Sequence, residues 1–261
     1  MDLCFLQEDV LLKYKSPSQR IRIMSECWFG GKMYCPACAS NEIKAFPNNK
    51  KAADFYCPNC NEQYQLKCQS KSFGSRITDG AYDILVSAME LNTLPNFFFM
   101  RYEQPTYSAK DLMLVPNFFF SPSIIEKRKA LSDNARRHGW VGCNILYKNI
   151  SDEGKIKIID NGKMLEPEYV RAAWQKINFL KDTKVETRGW LNDIMHCLNK
   201  IGKDNFELEE IYFFEEYLSR LHPQNKNIKA KIRQQLQFLR DKNYLDFLGS
   251  GKYKVTNETI G

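Results

Sequence analysis

No stretch of the 261 residues approaches the roughly 18–20 consecutive apolar residues that a membrane-spanning helix needs. The densest apolar patches, such as Phe97–Met100, are the size of strands. A transmembrane helix is therefore excluded. Histidine is scarce, with three in the chain and none near the acidic residue singled out below, so a histidine-based nuclease mechanism is unattractive. The N-terminal segment MDLCFLQEDV lacks a basic stretch ahead of an apolar one. No export signal is read from it, and a cytoplasmic protein is expected. Acid is in deficit, 31 Asp and Glu against 38 Lys and Arg, and the net charge of +7 points toward a polyanionic partner. The compositional mark of disorder is also missing, because 43% of residues are hydrophobic and 13% aromatic. The length gives room for one large core or two ordinary domains.

Cysteine, by contrast, is present in an odd number, nine. With no export signal, a disulfide framework is not expected, since cytosolic thiols stay reduced. Four of the nine form two CxxC knuckles, Cys35-Pro-Ala-Cys38 and Cys57-Pro-Asn-Cys60, separated by 18 residues. That spacing suits a tetrahedral four-thiolate zinc site of the structural kind, in which no position is left for water. The competing reading is two unrelated redox or buried pairs. Cys4, Cys27, Cys68, Cys143 and Cys197 have no partner at metal spacing.

Periodicity predicts helix within residues 1–30, with Ser16-Pro17 as an entry pair. A zinc ribbon over 31–62 follows, with strands at 51–56 and 63–68. Residues 77–92 read as a helix burying Ala81, Ile84, Leu85, Ala88 and Met89. The runs Asn96–Tyr102 and Leu112–Phe120 read as buried central strands, with shorter ones at Val141–Ile145 and Lys155–Ile159. A helix over Pro167–Phe179 places Tyr169, Ala172, Ala173 and Ile177 on one face. Helices among strands imply an α/β or α+β first domain.

The texture changes near residues 180–187, which sets expected domains at 1–182 and 183–261. The second holds three helical stretches, 189–201, 208–221 and 227–242, then a hairpin of Tyr244–Leu248 and Lys252–Val255. That order is a winged helix-turn-helix. Lys226 to Lys254 holds eight bases and two acids, whereas Asp204 to Glu216 holds six acids and no base. The basic side coincides with the third helix and the wing, the parts that meet a groove and its phosphates. Lys229, Arg233, Gln234 and Gln237 are the outward candidates, and Gln and Arg suit bidentate contacts on base edges. A solvated face, or a winged helix used for protein contacts, is the alternative. Another basic cluster, Lys127, Arg128, Lys129, Arg136 and Arg137, falls within 122–139.

The chemistry concentrates in residues 54–67. Asp54 lies in one expected strand and Gln65-Leu66-Lys67 in the next, so a hairpin brings carboxylate, amide and ammonium together. Residues 65 and 67 point to the same side. This is the arrangement of a metal-dependent phosphodiesterase: Asp54 holds Mg²⁺, the Leu66 carbonyl can be a further ligand, and Lys67 faces the attacking water or the developing charge. In isolation the pattern also fits an ordinary exposed Asp and Lys on a hairpin.

A series of blocks then runs the length of the chain in order. It starts with Ala53-Asp54-Phe-Tyr-Cys57-x-x-Cys60 and Gln65-Leu-Lys67, then Asp79-Gly-Ala-Tyr82, Pro95-Asn-Phe-Phe-Phe99 and Leu114-Val-Pro116. It continues through Ala135-Arg-Arg-x-Gly-Trp140-x-Gly-Cys-Asn144, Arg188-Gly-Trp190, the stretch Ile232 to Lys242, and Gly251-Lys-Tyr253. In these blocks the chain resembles the DpnI family of methyl-directed type II restriction endonucleases. The resemblance implies an α/β PD-(D/E)xK nuclease domain with a structural zinc, followed by a winged helix. It implies metal-dependent cleavage of double-stranded GATC carrying N6-methyladenine, between methyl-A and T with blunt ends, by an apparent monomer. It assigns catalysis to Asp54, Gln65 and Lys67, with Mg²⁺ on Asp54 and Gln65, and zinc to Cys35, Cys38, Cys57 and Cys60. Trp140 matches a tryptophan that packs on the adenine methyl groups, and Arg136 and Arg137 beside it join the DNA-binding set. One departure stands out: Gln65 occupies a position where the motif usually has Asp or Glu. Its amide brings no charge to a cation that prefers charged oxygens, and Glu26 or Asp79 could supplement it. The alternative is therefore a methyl-GATC binding protein with weak or no cleavage. A third class, a zinc-ribbon structural protein, has no use for the Asp54–Lys67 pair.

Overall fold

The computed structural model describes residues 10, 12–47, 53–104 and 106–256. In chain order the elements are α1 (Pro17–Lys32), β1 (Lys44–Ala45), β2 (Phe55–Tyr56), β3 (Gln63–Gln69), β4 (Ile77–Ala81) and α2 (Tyr82–Glu90). Then come β5 (Asn96–Glu103), β6 (Ser108–Val115), β7 (Ile125–Lys127), β8 (Gly142–Ile145), β9 (Ile156–Asp160), β10 (Lys163–Met164) and α3 (Pro167–Ile177). The C-terminal part holds α4 (Val185–Ile201), β11 (Asn205–Glu207), α5 (Leu208–Tyr212), α6 (Glu215–Leu221), α7 (Ile228–Asp241), β12 (Leu245–Gly249) and β13 (Lys252–Val255).

The chain divides into two compact units. The first takes Met1–Phe73, Leu91–Asn117 and Glu153–Ile177; the second takes Gly74–Glu90, Phe118–Asp152 and Asn178–Gly261. The first unit is built on a sheet of order β1-β2-β3-β5-β6-β9-β10. Every pairing in it is antiparallel except β3 with β5. Phe97, Phe98, Phe99 and Met100 are all buried, which explains their unbroken apolar run: β5 is covered on both faces. On one face α1 delivers Phe29, whose ring lies 4.6 Å from Phe55 and 4.7 Å from Phe98. Pro17 opens α1, where a missing N–H costs nothing, and Ile21, Met24, Trp28 and Phe29 form its buried stripe.

Several expectations change. The run to Phe120 is not one strand: β6 stops at Val115 because Pro116 has no N–H to give. Asn117 then bonds Asn96 Oδ1 through its N–H at 2.9 Å and opens a 3₁₀ turn. Residues 77–81 are not helix but β4, paired antiparallel with β8. The helix after it buries Leu85 and Met89 and leaves Ile84 72% exposed. In α3 the buried face is Val170, Trp174 and Ile177, while Tyr169 is 71% exposed, because the larger Trp174 sets the rotation of the helix. The expected strand at 51–56 is described only from residue 53, and is a strand at Phe55–Tyr56.

The second unit joins a sheet of order β4-β8-β7 to the C-terminal helices and a three-stranded wing of order β11-β13-β12. Polar contacts tie residues 118–152 to α4. Ser123 donates to Asp193 Oδ1 at 3.0 Å, the Ser151 N–H to Asn192 Oδ1 at 3.2 Å, and the Asp152 N–H to Asn199 Oδ1 at 2.8 Å. Gly189 lets α4 approach closely, since a Cβ there would stand 3.1 Å from Ser121 Cβ.

Candidate active site and nucleic-acid interface

The β2–β3 hairpin positions Asp54. Its ladder is regular between Phe55↔Tyr64 and Tyr56↔Gln63 and breaks beyond Phe55. There the Asp54 N–H bonds Tyr64 O at 2.9 Å, and the Leu66 N–H, left without its expected carbonyl, donates to Asp54 Oδ2 at 2.8 Å. The carboxylate is thus fastened to the segment that carries Gln65 and Lys67. Tyr64 packs on Phe98 at 5.2 Å, on the face covered by α1, so Gln65 and Lys67 point to the other side. On that side Gln65 stands beside Phe97 of β5, and Lys67 Nζ lies 5.7 Å from the Phe97 ring centroid. The lysine stem therefore rests on an apolar platform with its charge at the half-buried end of the hairpin. Of the supplementary carboxylates, Glu26 is paired with Arg22 on α1 at 2.7 Å. Asp79 belongs to the other unit, where it accepts from the Gly80 N–H at 2.7 Å.

The four knuckle cysteines converge, their sulfurs all within 4.8 Å of one another. The Cys35–Cys60 and Cys38–Cys57 sulfurs are 3.6 Å apart, against about 3.8 Å across a tetrahedron of zinc–sulfur bonds near 2.3 Å. The donor set fits zinc. Burial pushes the Cys35 thiol up to about 11, and the Tyr64 hydroxyl, 3.2 Å from its sulfur, partly offsets that. At Cys57 burial is outweighed by the N–H groups of Cys60 and Asn59, which bring it down to about 7. Sequence reading missed Arg171, which crosses from α3 to donate to Cys35 O at 3.2 Å and Ser40 O at 2.9 Å. A contact between residues 136 apart leaves no local trace.

In the second unit a long arm extends β7 and β8. The Arg128 N–H bonds Gly142 O at 3.0 Å and the Leu131 N–H bonds Trp140 O at 2.9 Å. Gly139 turns the chain with φ +72°. The arm carries the exposed Arg136, Arg137 and His138 and ends on half-buried Trp140, with the Arg137 guanidinium 4.9 Å from the indole centroid.

The winged helix keeps its basic face free of core duties. In α7 the buried side is Ile228, Ile232, Gln235, Leu236 and Leu239, while Lys229, Arg233, Gln234 and Gln237 are exposed. Tyr212, which sequence reading overlooked, organises that face. Its hydroxyl accepts from Arg233 Nη1 at 2.7 Å, and Lys229 lies 5.3 Å from its ring centroid while also reaching Glu215 at 3.4 Å. His222, at the C-terminal end of α6, stacks on Trp190 at 3.6 Å and bonds buried Asp193 at 2.8 Å. His196 is buried within α4.

A mixed-sheet core with an anchored Asp and a nearby Gln-x-Lys strand, a four-cysteine cluster suited to a metal ion and a C-terminal winged helix define a nuclease of the PD-(D/E)xK class. The comparison with known families is specific. The Dam-replacing family model (DpnI) matches residues 1–183, and the Dam-replacing HTH domain model (DpnI_C) matches residues 186–255. The chain belongs to the DpnI family. That family is one of methyl-directed, GATC-specific restriction endonucleases, and the protein is accordingly a metal-dependent nuclease that binds DNA. No helix among the described residues is long and apolar enough to cross a membrane.

Proposed function

We propose that the protein cleaves double-stranded GATC when the adenine carries an N6-methyl group, cutting between methyl-A and T to leave blunt ends. The observation that carries this reading is the Asp54 carboxylate fastened by the Leu66 N–H beside Gln65 and Lys67. Asp54, the Gln65 amide oxygen and the Leu66 carbonyl would hold Mg²⁺, whose chemistry is to polarise a phosphate and acidify water. Lys67 faces the developing negative charge. Cys35, Cys38, Cys57 and Cys60 would hold zinc as a structural ion, in keeping with the sulfur spacing. Trp140 packs on the adenine methyls, apolar surface in the major groove that a flat ring can bury. Arg136 and Arg137 take phosphates beside it, and Lys229, Arg233, Gln234 and Gln237 contact DNA from α7.

The extents of the two family matches support a division of labour between a nuclease domain, 1–182, and a winged-helix domain, 183–261. The enzyme works as a monomer in the cytoplasm, where its nine cysteines stay reduced. A second reading, a methyl-GATC reader with weak cleavage, has one observation in its favour: Gln65 brings no charge to the metal.

The test is Asp54→Ala. Methyl-specific binding stays within about twofold while cutting falls by at least about 10³-fold, the scale of losing an electrostatic element of a transition-state site. Cutting that survives the substitution moves the active site elsewhere.

A further inference from the structure

Gly142 is the first residue of β8, two places after Trp140. Its φ is not in the left-handed region, so its backbone has no need of glycine. Glycine inside a strand also weakens the strand, and its usual justification there is a close approach by another group. The approaching group is the Trp140 indole. A Cβ built on Gly142 would stand 2.8 Å from both Cζ3 and Cη2 of that ring, far inside the 3.5–4.0 Å at which carbon atoms attract. The other nearby atom, Gly80 O, would be 3.5 Å away, an ordinary contact. The space is missing for one reason only, the ring. The Arg137 guanidinium stacks over the same ring, 4.9 Å from its centroid.

We infer that Gly142 and Arg137 form a slot that sets the position of the Trp140 ring, making Gly142 a specificity-determining positioning residue for methyladenine. This inference rests on the reading that Trp140 packs on the methyl groups. A side chain at 142 moves the ring outward by about 1 Å, because the exposed Arg137 side chain over the ring can yield whereas the strand cannot. Recognition constellations lose function when displaced by more than about 0.5 Å. The damage therefore falls on methyl discrimination rather than on the fold.

The tryptophan content supplies a clean probe. Trp28, Trp174 and Trp190 are each 2% exposed, so acrylamide quenching of intrinsic fluorescence reports chiefly on half-buried Trp140. The experiment compares wild type with Gly142→Ala, Arg137→Ala and Trp140→Ala in the full chain. Affinities are measured without divalent cation for methylated and unmethylated GATC duplexes. Gly142→Ala is expected to lower the methylated-to-unmethylated ratio about tenfold, the scale of losing roughly two buried methyl groups. It also raises the quenching of Trp140, which a merely weakened strand would not do. Arg137→Ala, which removes the guanidinium over the ring, raises quenching as well and keeps the inference testable should Gly142→Ala fail to fold. An unchanged ratio and unchanged quenching for Gly142→Ala, with Trp140→Ala impaired, overturn the role of Gly142 alone. Quenching unchanged in Arg137→Ala overturns the slot. An unchanged ratio for Trp140→Ala overturns the methyl-reading role itself, and the specificity role of Gly142 with it.

Discussion

Asp54 meets Leu66 only because the β2–β3 ladder fails one residue early, so a backbone N–H that a regular hairpin would give to a carbonyl goes to a carboxylate at 2.8 Å. That hydrogen bond consumes one oxygen and orients the other. Gln65 beside it is neutral, which leaves the proposed metal site one charge short. Gln65→Glu is therefore expected to lower the Mg²⁺ concentration for half-maximal cutting by about tenfold or more. Even at an effective dielectric of about 20, a unit charge a few ångströms away is worth more than the ~1.4 kcal/mol that tenfold represents. A metal titration of the cleavage rate checks it. The approach of Asp54 to the Gln65-Leu66-Lys67 strand was legible in the sequence because a hairpin is local and its two-residue alternation is fixed. The roles of Gly142 and Tyr212 were not. Gly142 differs from any strand glycine only by where an indole ring lies, and Tyr212 meets Arg233 across 21 residues.

The β2–β3 hairpin is the element in which the cysteine cluster and the proposed catalytic residues meet. Phe55 and Tyr56 separate Asp54 from Cys57, and Tyr64 lies between Cys60 and Gln65. A structural ion on the four sulfurs would pin both strands at the end nearest Asp54. Chelation of zinc is expected to abolish cutting, with activity returning on zinc and not on added Mg²⁺; rescue by Mg²⁺ alone would separate the cluster from catalysis. Tyr64→Phe removes the hydroxyl beside the Cys35 sulfur and is expected to cost about 1 kcal/mol, read from the denaturation midpoint. In the winged helix, α7 was fully legible, because its 4, 4 and 3 spacing of Ile228, Ile232, Leu236 and Leu239 is the buried face found. The single helix expected over 208–221 breaks into α5 and α6 at Phe213–Phe214, and β11 had escaped notice because three residues carry no period. Lys229→Ala, on the exposed side, should weaken binding equally on methylated and unmethylated duplexes. It should also reduce the slope of log affinity against log salt by about 0.9.

Across the whole molecule, the arm bearing Trp140 and the winged helix fall in one compact unit, and Asp54, Gln65, Lys67 and the cysteine cluster in the other. The sequence showed the change of texture at 180–187, but not that residues 74–90 and 118–152 group with the C-terminal helices. That grouping depends on long-range bonds such as Ser123 to Asp193. Asp193 anchors it. Burial raises its carboxyl pKa, and bonds from His222, Ser123 and Asn192 pull it back. Asp193→Ala removes the carboxylate from all three partners, His222, Ser123 and Asn192, and is expected to destabilise the protein by about 2–4 kcal/mol. A thermal melt checks this, and a change below ~0.5 kcal/mol would mean the network adds nothing.

The decisive measurement is cleavage, with Mg²⁺, of a duplex containing one GATC site, fully methylated or unmethylated. The methylated duplex is expected to be cut to blunt ends and the unmethylated one left whole. Binding of the methylated duplex without scission would contradict the account, leaving a reader of methylated DNA in which Gln65 has disabled the site. Equal cutting of both would contradict it differently, by removing the methyl group from recognition.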